Sequence, residues 1–428
     1  MMKKLIAVLL LAVCTSVSAQ HNYREEILQY PELAASNSVA YPTVVKSLSP
    51  APKGMRPFYL SHYGRHGSRY LTKTKDYHYV PEVMRKADSE GKLTPLGRDV
   101  LRRAERLSRQ AEGRWGDLTA VGTQQHKDIA RRMVKNFPQL FKGSTHVDAR
   151  STLVSRCVLS MANTIQQLLV INPKLRTTID ASPSDLYFMN YQDALLRSQT
   201  RPANLEAAYN DFCNRHWQLD RLMRSLFNDT AYINRHIDAE QMQFYLFRLA
   251  GSVQDTELRD SLTLFDIFTP EEIYNNWLTA NVWWYLGYGF TPLNGGTQPY
   301  TQRHLLRRLI TDADSCIAQQ QPNVQLRFGH DTMLMPLICL MGINGYNHSV
   351  NDLDSLAPSG WIDYRVFPMA ANLQLVFYRR HANDRDVVLK VLLNEEEATL
   401  PLPTDQYPYY RWNDVKEYLL QVLSRYKE

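Results

Sequence analysis

Between positions 65 and 69 the chain reads Arg65-His66-Gly67-Ser68-Arg69, one imidazole set between two guanidiniums with Gly64 and Gly67 close by. Those residue types suit an anion that carries several oxygens. Guanidinium forks can hold phosphoryl oxygens bidentately and offset the charge that spreads over them during transfer. A neutral imidazole nitrogen held against phosphorus can attack it and carry it covalently. A second pair, His330-Asp331, stands far down the chain in Arg327-Phe328-Gly329-His330-Asp331-Thr332. A carboxyl there could give a proton to a departing alkoxide. Each motif has a plain alternative: an arginine-rich loop can be solvated surface, and Asp331 can cap a helix. Both, however, follow apolar runs, and open α/β sheets place ligands outside the carboxyl ends of their strands.

The elements that must position these residues can be read from the flanking patterns. Arg56 to Ser61 is a short apolar run that leads into the glycine-containing loop, as a strand ending in a turn would. Two helix starts follow, Leu93-Thr94-Pro95-Leu96-Gly97 and Leu118-Thr119-Ala120-Val121-Gly122, with Thr94 and Thr119 as N-caps and Pro95 at a first helical position. Thr145 to Asp148 is strand-like and gives way to a helix with Val158, Ala162, Ile165 and Leu169 on one face. From about Asn172 to Gln321 the pattern is mostly helical, rich in Tyr, Trp and Asn, with no alternating strand signal. There Thr269-Pro270-Glu271-Glu272 forms a capping box before an aromatic face containing Trp277, Trp283 and Trp284, which reads as helix packing more readily than as a stacking platform. Strand signals return at Val324 to Phe328, Asn372 to Tyr378 and Asp386 to Leu393, and Asn413 opens a final helix. Strands alternating with helices on either side of a helical block imply an α/β domain built from residues 20–171 and 322–428, with 172–321 inserted as a helical domain.

Bulk properties narrow the setting. The 428 residues suit two compact units or one large domain carrying an insertion. Hydrophobic residues at 44% and charged residues at 21% are ordinary globular usage, and no segment beyond the N-terminus is apolar for long enough to span a bilayer, so no stable membrane insertion is expected. Residues 1–19 read as a secretory signal: Lys3 and Lys4, then the apolar stretch Leu5 to Val13, then the small-residue site Val17-Ser18-Ala19. The protein is therefore expected to be exported, periplasmic or secreted, with a lipid anchor on Cys14 the lesser expectation because Val13 is bulky. Export would leave Cys157, Cys213, Cys316 and Cys339 where disulfides can form; buried and paired states both stay open. These cysteines and His62, His126, His216 and His304 lack metal-ligand spacing, so neither a metal nor another cofactor is expected. No P-loop, dinucleotide fingerprint or Gly-x-Ser-x-Gly elbow is present. The net charge of +6 includes the two leader lysines and does not point to nucleic acid.

Taken together, the motifs resemble those of the histidine acid phosphatases, the exported second branch of the histidine phosphatase superfamily, whose signature is Arg-His-Gly-x-Arg-x-Pro. Arg65, His66, Gly67 and Arg69 match it, and Leu71 stands where the proline would be. His330-Asp331 is similar to the family's late His-Asp dipeptide, and Asp117-Leu118-Thr119-x-x-Gly122-x-x-Gln125 to its Leu-Thr-x-x-Gly-x-x-Gln helix start, an architectural element. Ser151 to Cys157 resembles the segment that brings a further arginine to the phosphate; the family pattern favours Arg156 over Arg150. Arg156-Cys157 and Arg69-Tyr70 also resemble the multiple inositol polyphosphate phosphatases, although that subfamily usually has His-Ala-Glu where this chain has His330-Asp331-Thr332, which leaves the subfamily open. The resemblance implies a Rossmann-like central sheet flanked by helices with an inserted α-helical cap. It implies an exported phosphomonoester hydrolase without a cofactor, in which His66 is the nucleophile and Asp331, protonated at acidic pH, the proton donor. Arg65, Arg69, Arg156 and His330 would hold the phosphoryl group. The expected partner is a small-molecule phosphomonoester, an inositol polyphosphate such as phytate or another organic ester. A phosphoglycerate-mutase-like phosphotransferase shares the Arg-His-Gly core but not the leader or this His-Asp placement. A non-catalytic polyanion-binding protein would have no use for both His66 and Asp331.

Overall fold

The computed structural model describes residues 23–427 apart from 45, 192, 200, 201 and 322, so the expected leader lies outside the described residues. Strand β1 (Arg56–Arg65) sits inside a sheet with β2 (His146–Ser151), β3 (Arg176–Asp180), β4 (Val324–Gly329), β5 (Asn372–Arg379), β6 (Val388–Leu393), β7 (Glu396–Glu397) and β8 (Tyr409–Arg411). The order is β3-β2-β4-β1-β5-β6-β7, with β8 on β6. The pairs β2–β3, β2–β4 and β1–β4 are parallel, whereas β1–β5 and β5–β6 are antiparallel. This mixed sheet flanked by helices is the α/β class implied by the sequence.

Helices cover both faces of the central strands, so β4, β5 and β6 are buried throughout, polar residues such as Gln325, Arg327 and Gln374 included. Their side chains alternate between two cores, as the two-residue strand period requires. Tyr59, Tyr63, Leu373, Leu375, Phe377, Leu389 and Val391 face one core; Leu60, Val376, Leu326, Phe328, Val147 and Ala149 face the other. Truncating one of these, for example Leu326→Ala, is expected to cost about 2–5 kcal/mol.

Thr94 and Thr119 cap their helices, Pro95–Ala111 and Ala120–Asn136, by accepting from the amides of Gly97 and Gly122. Thr269 and Glu272 form the capping box that opens the helix Pro270–Tyr288. Three local readings differ. The sheet takes in β3, within the stretch expected to be helical. The helix Ser155–Ile171 buries Cys157, Met161, Thr164, Ile165 and Leu168 while Ala162 is exposed, so its packed face is rotated from the expected stripe. The final helix runs Trp412–Ser424 with Arg411 at its N-cap and Asn413 inside its first turn. Between β3 and β4 the chain is otherwise helical, and its last helix, Arg303–Gln319, returns to pack on β1. Cys157, Cys213, Cys316 and Cys339 are buried, and no disulfide joins them to one another. Among the described residues no helix is long and apolar enough to cross a membrane.

Candidate active site

Parallel pairing carries the distant motifs to one place. Arg65 at the end of β1 is in register with Gly329 at the end of β4, and the His66 amide continues the ladder by donating to the Gly329 carbonyl at 3.0 Å. Just beyond β2, the Thr152 amide donates to the Phe328 carbonyl at 3.0 Å. Three neighbouring carboxyl ends therefore converge. His66, Arg69, Arg156, His330 and Asp331 line one cavity of 490 Å³ there, roofed by helical residues between 209 and 288.

The loop after β1 is locked by close backbone contact and by Ser68. A Cβ on Gly67 would lie 2.6 Å from the Gly122 carbonyl oxygen, and one on Gly122 would lie 2.2 Å from the Ser68 carbonyl oxygen, so both positions require glycine. Thr119 donates to the Ser68 carbonyl from its amide at 2.9 Å and its hydroxyl at 3.0 Å. Gln125 accepts from the Ser68 amide and donates to its hydroxyl, each at 2.8 Å. The architectural role expected of Thr119, Gly122 and Gln125 thus has a physical basis: they fix the loop that carries His66 and Arg69.

Sequence reasoning missed two contributors. Asp255, in the turn after the helix Ala239–Ser252, accepts from the Ser68 hydroxyl at 2.6 Å, and its other carboxylate oxygen is buried without a partner in the protein. Burial raises its pKa to about 7, against the pull of Ser68, Arg69 and Arg65. A carboxyl raised in this way binds its proton more tightly when folded, so its contribution to stability is complete below about pH 4 and is lost as pH rises through about 7. Asp255→Asn keeps an acceptor for Ser68 and removes the titration. The stability of the variant relative to wild type, followed by melting curves, is expected to rise between pH 5 and pH 8, by roughly a few kcal/mol at most; a constant difference would contradict this. The second contributor is Asn37, from the segment Pro31–Ser38. Its side-chain amide donates to Asp331 Oδ2 at 3.2 Å and its carbonyl accepts from Arg65 Nη2 at 2.7 Å. No local pattern marks either residue, since each matters only through partners distant in sequence.

His66 Nδ1 lies 2.9 Å from the Gly67 carbonyl, which can only accept. Nδ1 therefore carries the hydrogen and Nε2 keeps its lone pair. Burial, then the charges of Arg65, Arg156 and Arg69 and the neighbouring His330, hold the His66 pKa well below the ordinary histidine value, so this lone pair persists in mild acid. The His330 ring stands edge-on at 5.8 Å, with Nε2 3.2 Å from the Thr152 hydroxyl. Burial and Arg156, opposed by Asp331, lower its pKa to about 4.

Asp331 begins the helix Asp331–Met341; its Oδ1 accepts from the Thr332 amide at 2.8 Å and its Oδ2 pairs with Arg65 Nη2 at 2.8 Å. Burial pushes this carboxyl up, but Arg65, Arg69, Asn37 and His330 outweigh it and hold the pKa below the ordinary aspartate value. The protein alone thus keeps Asp331 ionised in mild acid, contrary to the expectation of a ready-protonated donor.

Arg65 is not among the residues that line the cavity. It is fully buried behind the cavity, with Nη1 on the Phe367 carbonyl at 2.6 Å and Nη2 shared between Asn37 and Asp331. The Nε–H groups of Arg65, Arg69 and Arg156 are all buried with no acceptor in the protein. Buried donors in this state are costly, and at Arg69 and Arg156, which line the cavity, a tetrahedral oxyanion could supply the acceptor. Arg150, the rival of Arg156, is instead held by Asp148 at 3.1 Å and Asp185 at 2.6 Å. His62 and His126 pack against Phe328, and His216 pairs with Asp354. Among the described residues no group of His, Cys, Asp or Glu could hold a metal ion.

Comparison with known proteins gives the family and the fold. The model of a family described as histidine phosphatase superfamily (branch 2) matches residues 64–394, well over half of the chain. No curated protein matches. The fold is similar to a Bifidobacterium longum multiple inositol polyphosphate phosphatase solved with inositol hexasulfate, at TM-score 0.76 and 17% identity over 90% of this chain and 97% of that one. It is also similar to the phytase from D. castellii (TM-score 0.67, 14% identity, 92% and 86% covered) and to Hafnia alvei phytase (0.52, 12%, 87% and 98%). At these identities the likeness concerns the fold.

Proposed function

The chain belongs to the histidine phosphatase superfamily, branch 2, and from that premise we propose that it is an exported phosphomonoester hydrolase working through a phosphohistidine at His66. One observation carries the reading: a neutral imidazole with a free Nε2 lies at the strand ends within the field of three guanidiniums whose buried Nε donors lack protein acceptors.

The chemistry follows from these groups. Arg69, Arg156 and His330 hold the phosphoryl oxygens from the cavity wall, and Arg65 acts from behind through its field and its hold on Asp331. His66 Nε2 attacks phosphorus in line; the N–P bond forms as the ester O–P bond breaks. Asp331 gives its proton to the departing oxygen, then takes one from the water that attacks phosphorus and breaks the N–P bond. The ionised state of Asp331 fits this cycle. An arriving phosphate dianion offsets Arg65 and Arg69, the charges that hold the carboxyl low, so proton uptake accompanies substrate binding.

Phosphate release across monoesters, sugar phosphates and inositol phosphates, run with a chelator throughout, tests the class. Tight anion binding without any release would favour a non-catalytic polyanion-binding protein, and transfer to an acceptor without net hydrolysis would favour a phosphotransferase. Export is supported by the leader pattern from Lys3 to Ala19.

Inositol polyphosphates are proposed among the substrates. The printed names of the similar structures support this, as do the arginines at the cavity, Arg69 and Arg156 on its wall and Arg65 buried beside them. Their summed field should steer a highly charged ester. Raising ionic strength is therefore expected to lower kcat/KM for inositol hexakisphosphate more steeply than for a simple monoester. No hydrolysis of the hexakisphosphate, or equal salt responses, would leave a general phosphomonoesterase instead.

A further inference from the structure

Far from the cavity, the sheet ends on a strand whose outer edge is open. Among the described residues β3 pairs only with β2, and its Arg176, Thr178, Ile179 and Asp180 are exposed. The Arg176 amide donates to the Thr145 carbonyl at 3.0 Å, so Arg176, Thr178 and Asp180 turn their backbone groups towards β2. The amides and carbonyls of Thr177 and Ile179 therefore point outward, a template for one more strand. A guarded edge carries charge of one sign, which a two-fold axis would set against itself. Here the two ends carry opposite signs, Arg176 and Asp180. With a second copy antiparallel and the axis at Thr178, Arg176 of each copy stands opposite Asp180 of the other. That register also uses every outward backbone group: Thr177 of each copy and Ile179 of the other become hydrogen-bonded pairs and exchange both bonds. The Arg176–Asp180 pairs fall at the non-hydrogen-bonded positions, where side chains approach more closely.

Within one copy neither charge is fully met. Arg176 donates from Nε to the Ser144 carbonyl at 3.1 Å and has no carboxylate partner among the described residues. Asp180 reaches Arg150 only at 3.8 Å, and that guanidinium is already held by Asp148 at 3.1 Å and Asp185 at 2.6 Å. One cation thus serves three carboxylates, and Arg176 of a second copy brings the charge that is short. The opposite face of β3 agrees. Thr177 and Ile179 are in register with Val147 and Ala149, which face the core shared with Ile165 and Leu168 of the helix Ser155–Ile171. That helix leads into β3 and ends in the exposed Val170 and Ile171. Antiparallel pairing carries the exposed Ile179 of each copy to this end of the other. We propose that the outer edge of β3 is a homodimer interface, at which two copies of this chain join their sheets across a two-fold axis at Thr178.

Sedimentation of the full chain between about 1 and 100 µM is expected to show a monomer–dimer equilibrium that weakens as salt rises. Asp180→Arg sets arginine against arginine and should weaken the dimer at least about tenfold, and adding Arg176→Asp restores opposite signs and should restore it. Ile179→Pro removes an outward amide hydrogen and leaves the β2 ladder intact, so it should abolish the dimer without unfolding the chain, which a melting curve checks. The register has its own test. Thr178 meets itself across the axis, so mild oxidation should cross-link Thr178→Cys into dimers, whereas Thr177→Cys, displaced from the axis, should not cross-link. A monomer throughout that concentration range, a dimer indifferent to both Asp180→Arg and Ile179→Pro, or no cross-link at position 178 would overturn the interface.

Discussion

In Asp331→Asn, turnover of an alkyl phosphate is expected to fall about a hundredfold or more, while turnover of p-nitrophenyl phosphate falls far less. An alkoxide is strongly basic and needs a proton as it leaves; a nitrophenolate departs with little help. Asparagine preserves the shape and can still accept from the Thr332 amide, so the variant removes the proton together with the charge that pairs with Arg65. Equal losses on the two esters would reduce Asp331 to a shaping role. The pH profiles carry a second signature. Activity that needs protonated Asp331 declines as pH rises through its pKa. In the free protein that pKa is held low by Arg65 and Arg69, and a bound dianion offsets both. The alkaline limb that belongs to Asp331 is therefore expected at higher pH in kcat than in kcat/KM, and Asp331→Asn should lose it from both.

His66→Ala is expected to lower kcat by at least about a thousandfold. The loss should be chemical and not structural. The side chain makes one hydrogen bond, to its neighbour's carbonyl, whereas the loop is held by backbone bonds from His66 to Gly329 and from Ala370 to His66 and by the Ser68 anchors. The melting temperature of the variant should therefore stay close to that of wild type, and its phosphate affinity should persist through Arg69 and Arg156. Retained turnover with a normal fold would end the nucleophile assignment.

What could be read from the sequence was what is local. The His66 loop, the His330-Asp331 pair, the caps at Thr94, Thr119 and Thr269 and the central strands each announce themselves within a few residues. Strand β3 did not, because Arg176-Thr177-Thr178-Ile179-Asp180 is a short, largely exposed edge strand with charged ends and no apolar alternation. Asp255 and Asn37 were invisible for the same reason that they matter: each serves a partner, Ser68 or Asp331, that lies far away in sequence. Arg150 is held by Asp148, two residues before it on β2, and by Asp185, which only the fold brings to it from the turn after β3. The partners of Arg65 were equally illegible: its terminal nitrogens serve the carbonyls of Phe367 and Asn37 and the Asp331 carboxylate, all distant in sequence. Among the tryptophans, packing alone describes Trp277, while Trp283 and the buried Trp284 both line the cavity.

The central claim is that phosphorus passes through His66 Nε2, and trapping the intermediate tests it most directly. Wild-type protein mixed with a phosphoester labelled in its phosphoryl group and stopped within milliseconds in alkali should carry a label that survives base, is lost in acid and maps to His66. Chelators should leave it undiminished, because arginines neutralise the phosphoryl charge in this account. The label should be absent from His66→Ala and should accumulate in Asp331→Asn when p-nitrophenyl phosphate is the donor, since water attack then lacks its base. Rapid turnover with no trapped label, or a label that persists in His66→Ala, would contradict the account.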